Sequence, residues 1–151
     1  MKYFLDTNIL LTYIRESALS KSIDERFQLF DIQHLTAISV VTVGELHSIA
    51  LQNKWGTSKL KNLDKQLSKI LTTDINIESI IERYAEIDAF SQGKHPTIKS
   101  NFSSRNMGKN DLWIAATASI VDATLLTTDG DFDHLKDIFL KLERIELIAE
   151  N

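Results

Sequence analysis

The sequence contains no cysteine, so it forms neither disulfide bonds nor thiolate metal ligands. A metal site must therefore be built from oxygen or imidazole ligands, which favours magnesium or manganese over structural zinc. No run of about 18 apolar residues occurs, so no membrane segment is predicted. The N-terminus also lacks the basic region and apolar run of a signal peptide. We therefore expect a cytoplasmic protein.

The chain also lacks a large excess of either charge, because its 21 acidic and 17 basic residues give a net charge of only -4. This value argues against a protein that coats nucleic acid through its overall charge, although it leaves room for a local basic patch. The composition of 43% hydrophobic and 25% charged residues is ordinary for a soluble globular protein. A length of 151 residues suits one domain, so we expect a single domain over residues 1–151.

Short β-branched or apolar runs alternate with longer amphipathic segments along the chain. The predicted strands cover residues 2–5, 37–41, 70–77, 124–126 and 144–148. The predicted helices cover residues 9–14, 24–33, about 42–55, 58–69, 80–91 and 111–121, with a polar break at 17–22 and a helical turn at 132–137. Such alternation predicts an α/β fold with three α-β-α layers around a parallel sheet of four to five strands.

Four acidic residues have comparable addresses in this pattern. Asp6 follows the first strand, Glu45 lies just after the second, Asp111 begins a helix and Asp129 follows the fourth strand. Ligands of open α/β sheets bind outside the carboxyl ends of the strands, where these four side chains are expected to meet.

Each acid also has a purely structural interpretation. Glu45 stands three residues after Thr42, which matches the T-x-x-E of a helix capping box. Asp111 could serve the positive end of its helix, and Asp129 with Gly130 could form a turn. It is their shared edge of the sheet that favours a functional site.

Carboxylates held within a few ångströms repel one another unless a cation neutralises them. Mg²⁺, or Mn²⁺, is the natural cation, because it takes oxygen ligands and leaves positions for phosphate oxygens and an attacking water. This chemistry suits phosphodiester hydrolysis without a protein nucleophile. No histidine is assigned a catalytic role, since none has metal-ligand spacing relative to the acids.

A polar segment at residues 94–110 holds the only proline and no acidic residue. Its cations are candidates for substrate phosphate contacts: Lys94, Lys99, Arg105 and Lys109, with His95 nearby. A mobile solvated loop is the alternative interpretation.

Four motifs, FLDTNIL at 4–10, SVVTVGEL at 39–46, NDLWIAA at 110–116 and LTTDGDF at 126–132, resemble those of the PIN-domain nucleases. More narrowly, they resemble VapC-type toxins of bacterial toxin-antitoxin pairs. The resemblance implies a PIN-like fold, magnesium-dependent cleavage of RNA, a homodimer and a small VapB-like antitoxin whose tail occupies the active-site groove. The positions that it implies are Asp6, Glu45, Asp111 and Asp129 as metal-binding acids, Asp131 as a further, less constant acid, and Thr7 and Asn8 as lining residues.

Several assignments remain open at this point. A receiver-like regulatory module also binds magnesium beside acids at strand ends, but the acid inside a helix and the absence of a suitably placed late lysine argue against it. A non-catalytic PIN-fold binding protein would need an incomplete acidic set. The sequence leaves the roles of Ser39, Thr128 and Trp113 undetermined; either hydroxyl could bond to the acids or serve a strand-end turn.

Overall fold

The computed structural model describes residues 1–147. Strands and helices alternate as predicted. In chain order they are β1 (Lys2–Leu5), α1 (Thr7–Ile14), α2 (Ala18–Phe27), β2 (Leu35–Ser39), α3 (Val40–Gln52), α4 (Thr57–Leu67), β3 (Leu71–Thr73), α5 (Glu78–Ser91), α6 (Lys109–Ile120), β4 (Thr124–Thr127), a 3₁₀ helix (Gly130–Leu135) and β5 (Lys141–Arg144). No helix in this part of the chain is long and apolar enough to span a membrane.

The five strands form one parallel sheet in the order β3-β2-β1-β4-β5. Strand β1 is central, with Phe4 paired to Ala37 of β2 on one side and to Leu125 of β4 on the other. The chain adds strands outward in opposite directions from the β1–β4 pair, which makes that pair the topological switch point. In parallel sheets, the crevice above such a point is the usual ligand site.

Alternate residues of the central strands face opposite sides of the sheet, as the pleat requires. Leu5 and Leu126 pack in a core with the helices α1–α4, whereas Phe4 and Leu125 pack in a second core with α5, α6 and the 3₁₀ helix. Both faces of the sheet are therefore covered by helices. The three-layer α-β-α architecture predicted from the sequence is confirmed.

The helix predicted at residues 24–33 is placed too late, because α2 covers Ala18–Phe27 and includes most of the predicted polar break. Buried Leu19 and Ile23 and half-buried Phe27 recur every four residues and form one apolar stripe. Gln28 then adopts a left-handed conformation with a φ of 51°, which ends the helix.

Several strand boundaries also differ from the prediction. Strand β2 ends at Ser39, where the Ser39 hydroxyl accepts from the Val41 amide and caps α3. Strand β3 stops at Thr73, because the Asp74 carboxylate accepts from the amides of Ile75 and Asn76 and turns the chain. The last strand is Lys141–Arg144, earlier than the predicted 144–148, of which residue 148 lies outside the described part.

Candidate metal centre

Asp6 lies at the carboxyl end of β1, in the middle of the sheet edge. Its amide donates to the carbonyl of Leu126 at 3.0 Å, so the β1–β4 pairing continues up to the acid. Asp6 is also the N-cap residue of α1, and its carboxylate accepts from the Thr7 amide at 2.8 Å. The other carboxylate oxygen accepts from the Thr127 hydroxyl at 2.7 Å. Strand β4 and the first residue of α1 thus fix the position of one acid.

The Asp6 side chain is buried, with 4% of the residue exposed. Burial raises the pKa of Asp6, and the nearby charges of Glu45 and Asp129 raise it further, while the hydrogen bonds from Thr127 and Thr7 act in the opposite direction. The upward direction of the shift indicates a carboxylate whose charge the two hydrogen bonds compensate only in part.

Glu45 lies in the second turn of α3, the helix that directly follows β2, and reaches the same site. The capping-box interpretation is wrong, because Ser39 is the N-cap and Thr42 is already the third residue of the helix. Instead, the Thr7 hydroxyl donates to Glu45 Oε1 at 3.0 Å and also lies 3.1 Å from the Thr42 hydroxyl. This contact joins Glu45 to the residue that follows Asp6.

Asp111, Asp129 and Asp131 converge on one small volume. Each offers a carboxylate oxygen, and the three oxygens lie within 4.8 Å of one another. Burial, followed by the charges of Asp6, Asp129, Glu45 and Asp131, raises the pKa of Asp111 from 3.8 to about 7. The five acids chosen from the sequence thus interact electrostatically at one place.

Thr127 links the two halves of this group and was not selected from the sequence. Its hydroxyl donates to Asp6 and accepts from the Asp129 amide at 3.0 Å, while the Asp129 carboxylate accepts from the Asp131 amide at 2.9 Å. Thr128 is the candidate partner of the acids in the sequence, but the neighbouring Thr127 has this role. The available signal was the completely buried end of β4, where a hydroxyl needs a polar partner.

The donor set fits a divalent cation. The ligand atoms are all carboxylate oxygens, which are the ligands that magnesium and manganese prefer. Burial and mutual repulsion raise the pKa of two of the acids, and a bound cation would relieve both effects. An open groove of about 500 Å³ lies beside the acids, lined in part by Glu45, Gly44 and Asn110. A polymer can therefore reach this edge of the centre.

The loop between α5 and α6 is anchored to the protein, unlike the mobile loop considered above. Ile98 and Phe102 pack against the core, and the Arg105 amide donates to the Ser91 carbonyl at 2.7 Å. Ser91 Oγ in turn lies 2.7 Å from Nε2 of His134, a half-buried residue three positions after Asp131. One end of the loop is thereby held near the acidic turn.

The predicted substrate-binding residues are less concentrated than the acids. Asn8, unlike buried Thr7, is exposed. The four basic side chains are all exposed, and Arg105 lies over the ring of Phe102 at 5.7 Å. Within residues 1–147, no ion pair is formed by any of these four basic side chains, Lys94, Lys99, Arg105 and Lys109. Trp113 packs against Tyr84 of α5, with 4.3 Å between ring centroids, so it has a structural role.

Comparison with known proteins agrees with this architecture. The family model for the PIN domain matches residues 3–138. A comparison with curated proteins found no match.

Similar solved structures span almost the whole chain. One is VapBC2 from Rickettsia felis bound to a DNA fragment from its promoter, with 25% identity, a TM-score of 0.76, and coverage of 97% of this chain and 100% of the other. VapBC-1 from nontypeable Haemophilus influenzae has 23% identity, a TM-score of 0.72, and coverage of 95% and 98%. VapBC-5 from Mycobacterium tuberculosis has 22% identity, a TM-score of 0.60, and coverage of 97% and 98%.

The fold is a parallel sheet between two layers of helices, and an acidic centre lies above its topological switch point. These features define a class of α/β proteins suited to metal-assisted chemistry. Within that class, the chain belongs to the PIN domain family. PIN domains are generally nucleases that use a divalent metal, so the family supports hydrolysis of nucleic acid.

Proposed function

We propose that the protein is a divalent-metal-dependent endoribonuclease and the toxin of a type II toxin-antitoxin pair. The observation that carries this proposal is the convergence of three carboxylate oxygens within 4.8 Å, coupled to the charges of Asp6 and Glu45. A purely structural cluster of this kind would lower the stability of the fold, because like charges repel and two members are partly desolvated. A site that binds a cation and a phosphodiester explains why the cluster is present.

Asp6, Glu45, Asp111 and Asp129 are proposed as the acids that hold Mg²⁺, or Mn²⁺, with Asp131 as a further ligand. A bound divalent cation supplies an activated water for attack on phosphorus and offsets the charge that develops in the transition state. Thr127 and the Thr7 amide hold the Asp6 carboxylate in one orientation, and the Thr7 hydroxyl orients Glu45. These contacts hold Asp6 and Glu45 in place before substrate arrives.

RNA is proposed to enter along the groove beside Glu45 and to contact Thr7 and Asn8 at the site. The exposed cations of the loop would offset the repulsion between acids and phosphates, and we assign that role to Lys94, Lys99, Arg105 and Lys109. Arg105 has the best support among them, because its amide bonds to Ser91, whose hydroxyl lies 2.7 Å from His134 Nε2 near the acidic turn. Burial lowers the pKa of His134, and the charge of Arg105 lowers it further.

The proposed partner is a small VapB-like antitoxin, because the three structural neighbours described above are VapBC proteins. We further propose a homodimer, cytoplasmic residence and a single domain over residues 1–151. A short neighbouring reading frame that encodes a DNA-binding protein would support the pairing. Co-purification of its product with this chain would test the pairing directly.

The nuclease activity can be tested with the purified protein and a structured RNA. Cleavage is expected with Mg²⁺, and it should disappear with a chelator or with an Asp6→Asn variant. Equal cleavage in all three samples would reveal a contaminating nuclease and sink the proposal. A receiver-like module would instead take up a phosphoryl group from a small phosphodonor. That reaction is disfavoured because Asp6 is buried and both of its carboxylate oxygens already accept hydrogen bonds, from the Thr7 amide and the Thr127 hydroxyl.

A further inference from the structure

Arg144 is the last residue of β5 and brings a cation to the edge of the sheet that carries the acids. It pairs in register with Thr127, and the next amide, that of Ile145, donates to the Thr127 carbonyl at 2.7 Å. Thr127 is the residue that holds Asp6 and Asp129. The Arg144 backbone is thus one strand away from the acidic centre.

The guanidinium of Arg144 lies against Gly130. In the sequence, Gly130 stands between Asp129 and Asp131, two of the clustered acids. A Cβ atom on Gly130 would be 3.0 Å from Nη1, 3.1 Å from Cζ and 3.2 Å from Nη2 of Arg144. Because these three distances are nearly equal, the guanidinium presents its flat face to the glycine. In the described chain Gly93 has a positive φ whereas Gly130 does not, so backbone conformation does not require glycine here. The space that glycine leaves is occupied by Arg144.

Asp133 holds Arg144 in this position. Arg144 Nη1 donates to Asp133 Oδ2 at 2.7 Å, and the two side chains are 51% and 47% exposed. An ion pair this exposed adds little to the stability of a protein, so stability is a weak explanation for the arrangement. It does fix a guanidinium in one orientation while leaving about half of the side chain accessible to solvent.

We propose that Arg144 is a substrate-binding residue whose guanidinium holds a phosphate of the RNA next to the one that is cleaved. This proposal rests on the proposed nuclease function. Guanidinium groups recognise phosphate oxygens through paired hydrogen bonds. Asp129, Asp131 and Asp133 would otherwise repel the RNA backbone on this side, and the Arg144 guanidinium lies against Gly130, the residue between the first two, and bonds to Asp133.

The test measures the binding of a single-stranded fluorescent oligoribonucleotide at several salt concentrations, by fluorescence anisotropy. The Asp6→Asn protein serves as the starting point so that the RNA stays intact. Adding Arg144→Gln should weaken binding about five- to tenfold and reduce the slope of log K against log salt by about 0.7, the value for one lost phosphate contact on a single strand. Arg26→Gln is the matched control, because Arg26 forms a similar exposed ion pair with Glu143 at 3.2 Å. It should change neither quantity.

Two further variants separate phosphate binding from a purely structural clamp. Gly130→Ala should displace the guanidinium without removing its charge, and should weaken binding by a smaller factor. Asp133→Asn removes a negative charge that repels RNA and competes with phosphate for the guanidinium, and the asparagine side-chain oxygen can still accept from Nη1, so binding should be unchanged or tighter. If Asp133→Asn instead weakens RNA binding as much as Arg144→Gln, or if Arg144→Gln changes nothing, the proposal is wrong. Cleavage by the parent protein is recorded separately: no cleavage with the binding result intact would reject the nuclease function and leave the Arg144 contact standing.

Discussion

Asp6 and Asp111 are two acids of one site, but they differ in how far the surrounding protein stabilises their charged forms. The Asp6 carboxylate accepts hydrogen bonds from Thr7 and Thr127, which favour its charged form and oppose the effect of burial. The Asp111 carboxylate accepts no hydrogen bond from any residue in the range 1–147, and four other acids add to the effect of burial on its pKa. Asp6 is therefore held in place by the fold, whereas Asp111 depends on a proton or a cation.

The difference follows from where each residue is attached. Asp6 ends the central strand, so the neighbouring strand β4 can supply a hydroxyl and the start of α1 an amide. Asp111 stands in the first turn of α6, after a loop, where Gly108 precedes the helix without a side-chain cap. A site built from one fixed and one uncompensated carboxylate is well arranged to bind a cation, because the fixed acid sets the geometry and the other gains most from the positive charge.

The largest expected effect is on catalysis, where the two acids should behave alike. Asp6→Asn and Asp111→Asn should each lower the rate of RNA cleavage about 10²–10³-fold or more, because each removes a proposed ligand of the divalent cation. Initial rates with a labelled oligoribonucleotide measure this effect. Asp64→Asn, on the exposed face of α4, is the control and should cleave normally. An Asp111→Asn rate within tenfold of the parent rate would mean that Asp111 is not part of the centre.

The next effect concerns the support of Asp6. Thr127→Val keeps the shape of the buried side chain but removes the hydroxyl that joins Asp6 to Asp129, and should reduce metal affinity and activity about 10–100-fold. Thr127→Ser restores the hydroxyl and should recover most of both. Thr124→Val, in the same strand and also buried, is the matched control. Similar losses for the two valine variants would point to packing and not to the hydrogen bond.

Without metal, neutralising the two acids should change the melting temperature in opposite directions. Asp6→Asn should lower the melting temperature although it removes a charge that burial disfavours, because Thr7 and Thr127 donate to different oxygens of Asp6 and the amide nitrogen of asparagine accepts from neither. Asp111→Asn loses no hydrogen bond and should raise the melting temperature at pH 8 by relieving repulsion. Each kcal/mol corresponds to about 2–4 °C for a chain of this size. Differential scanning fluorimetry in a chelating buffer is sufficient. A fall for both variants would contradict the contrast drawn between the two acids.

The smallest effect is the pH dependence of stability. Asp111 has a pKa of about 7 in the folded protein and an ordinary value of 3.8 when unfolded, so between these values the folded chain binds the extra proton. The stability gained from that proton is fully present below about pH 4 and is lost as pH rises towards 7. Urea unfolding from pH 4.5 to 7.5 should therefore show a steeper decline for the metal-free parent than for Asp111→Asn. Parallel curves would show that Asp111 titrates normally.

The sequence was sufficient to predict the layers of the fold and the convergence of the acids. Alternating apolar runs indicate the order of strands and helices along the chain, and parallel strands bring their carboxyl ends to one edge, so Asp6 and Asp129 were expected at the same edge. That they are neighbours follows from the pairing of β1 with β4, which the sequence did not predict. The α2 boundary was missed because its stripe is interrupted by polar residues, and the helix stops at Gln28 through a left-handed conformation that no glycine announces.

The contacts that support the site were harder to predict. Thr127 and Arg144 act across adjacent strands, so their roles depend on the register of β4 with β1 and β5. Register is set by packing on both faces of the sheet and has no local signature in a chain of short, buried strands. Gly130 illustrates the same limit, since its lack of a side chain makes room for a residue 14 positions later in the sequence.

The central claim, that these acids form one divalent-metal site, is tested most directly by calorimetric titration of Mn²⁺ into the purified protein, beside Asp111→Asn and the Asp64→Asn control. The account predicts saturable binding to the parent and to the control, and at least about tenfold weaker binding to Asp111→Asn. Equal affinity in all three proteins, or no binding to the parent, would contradict it.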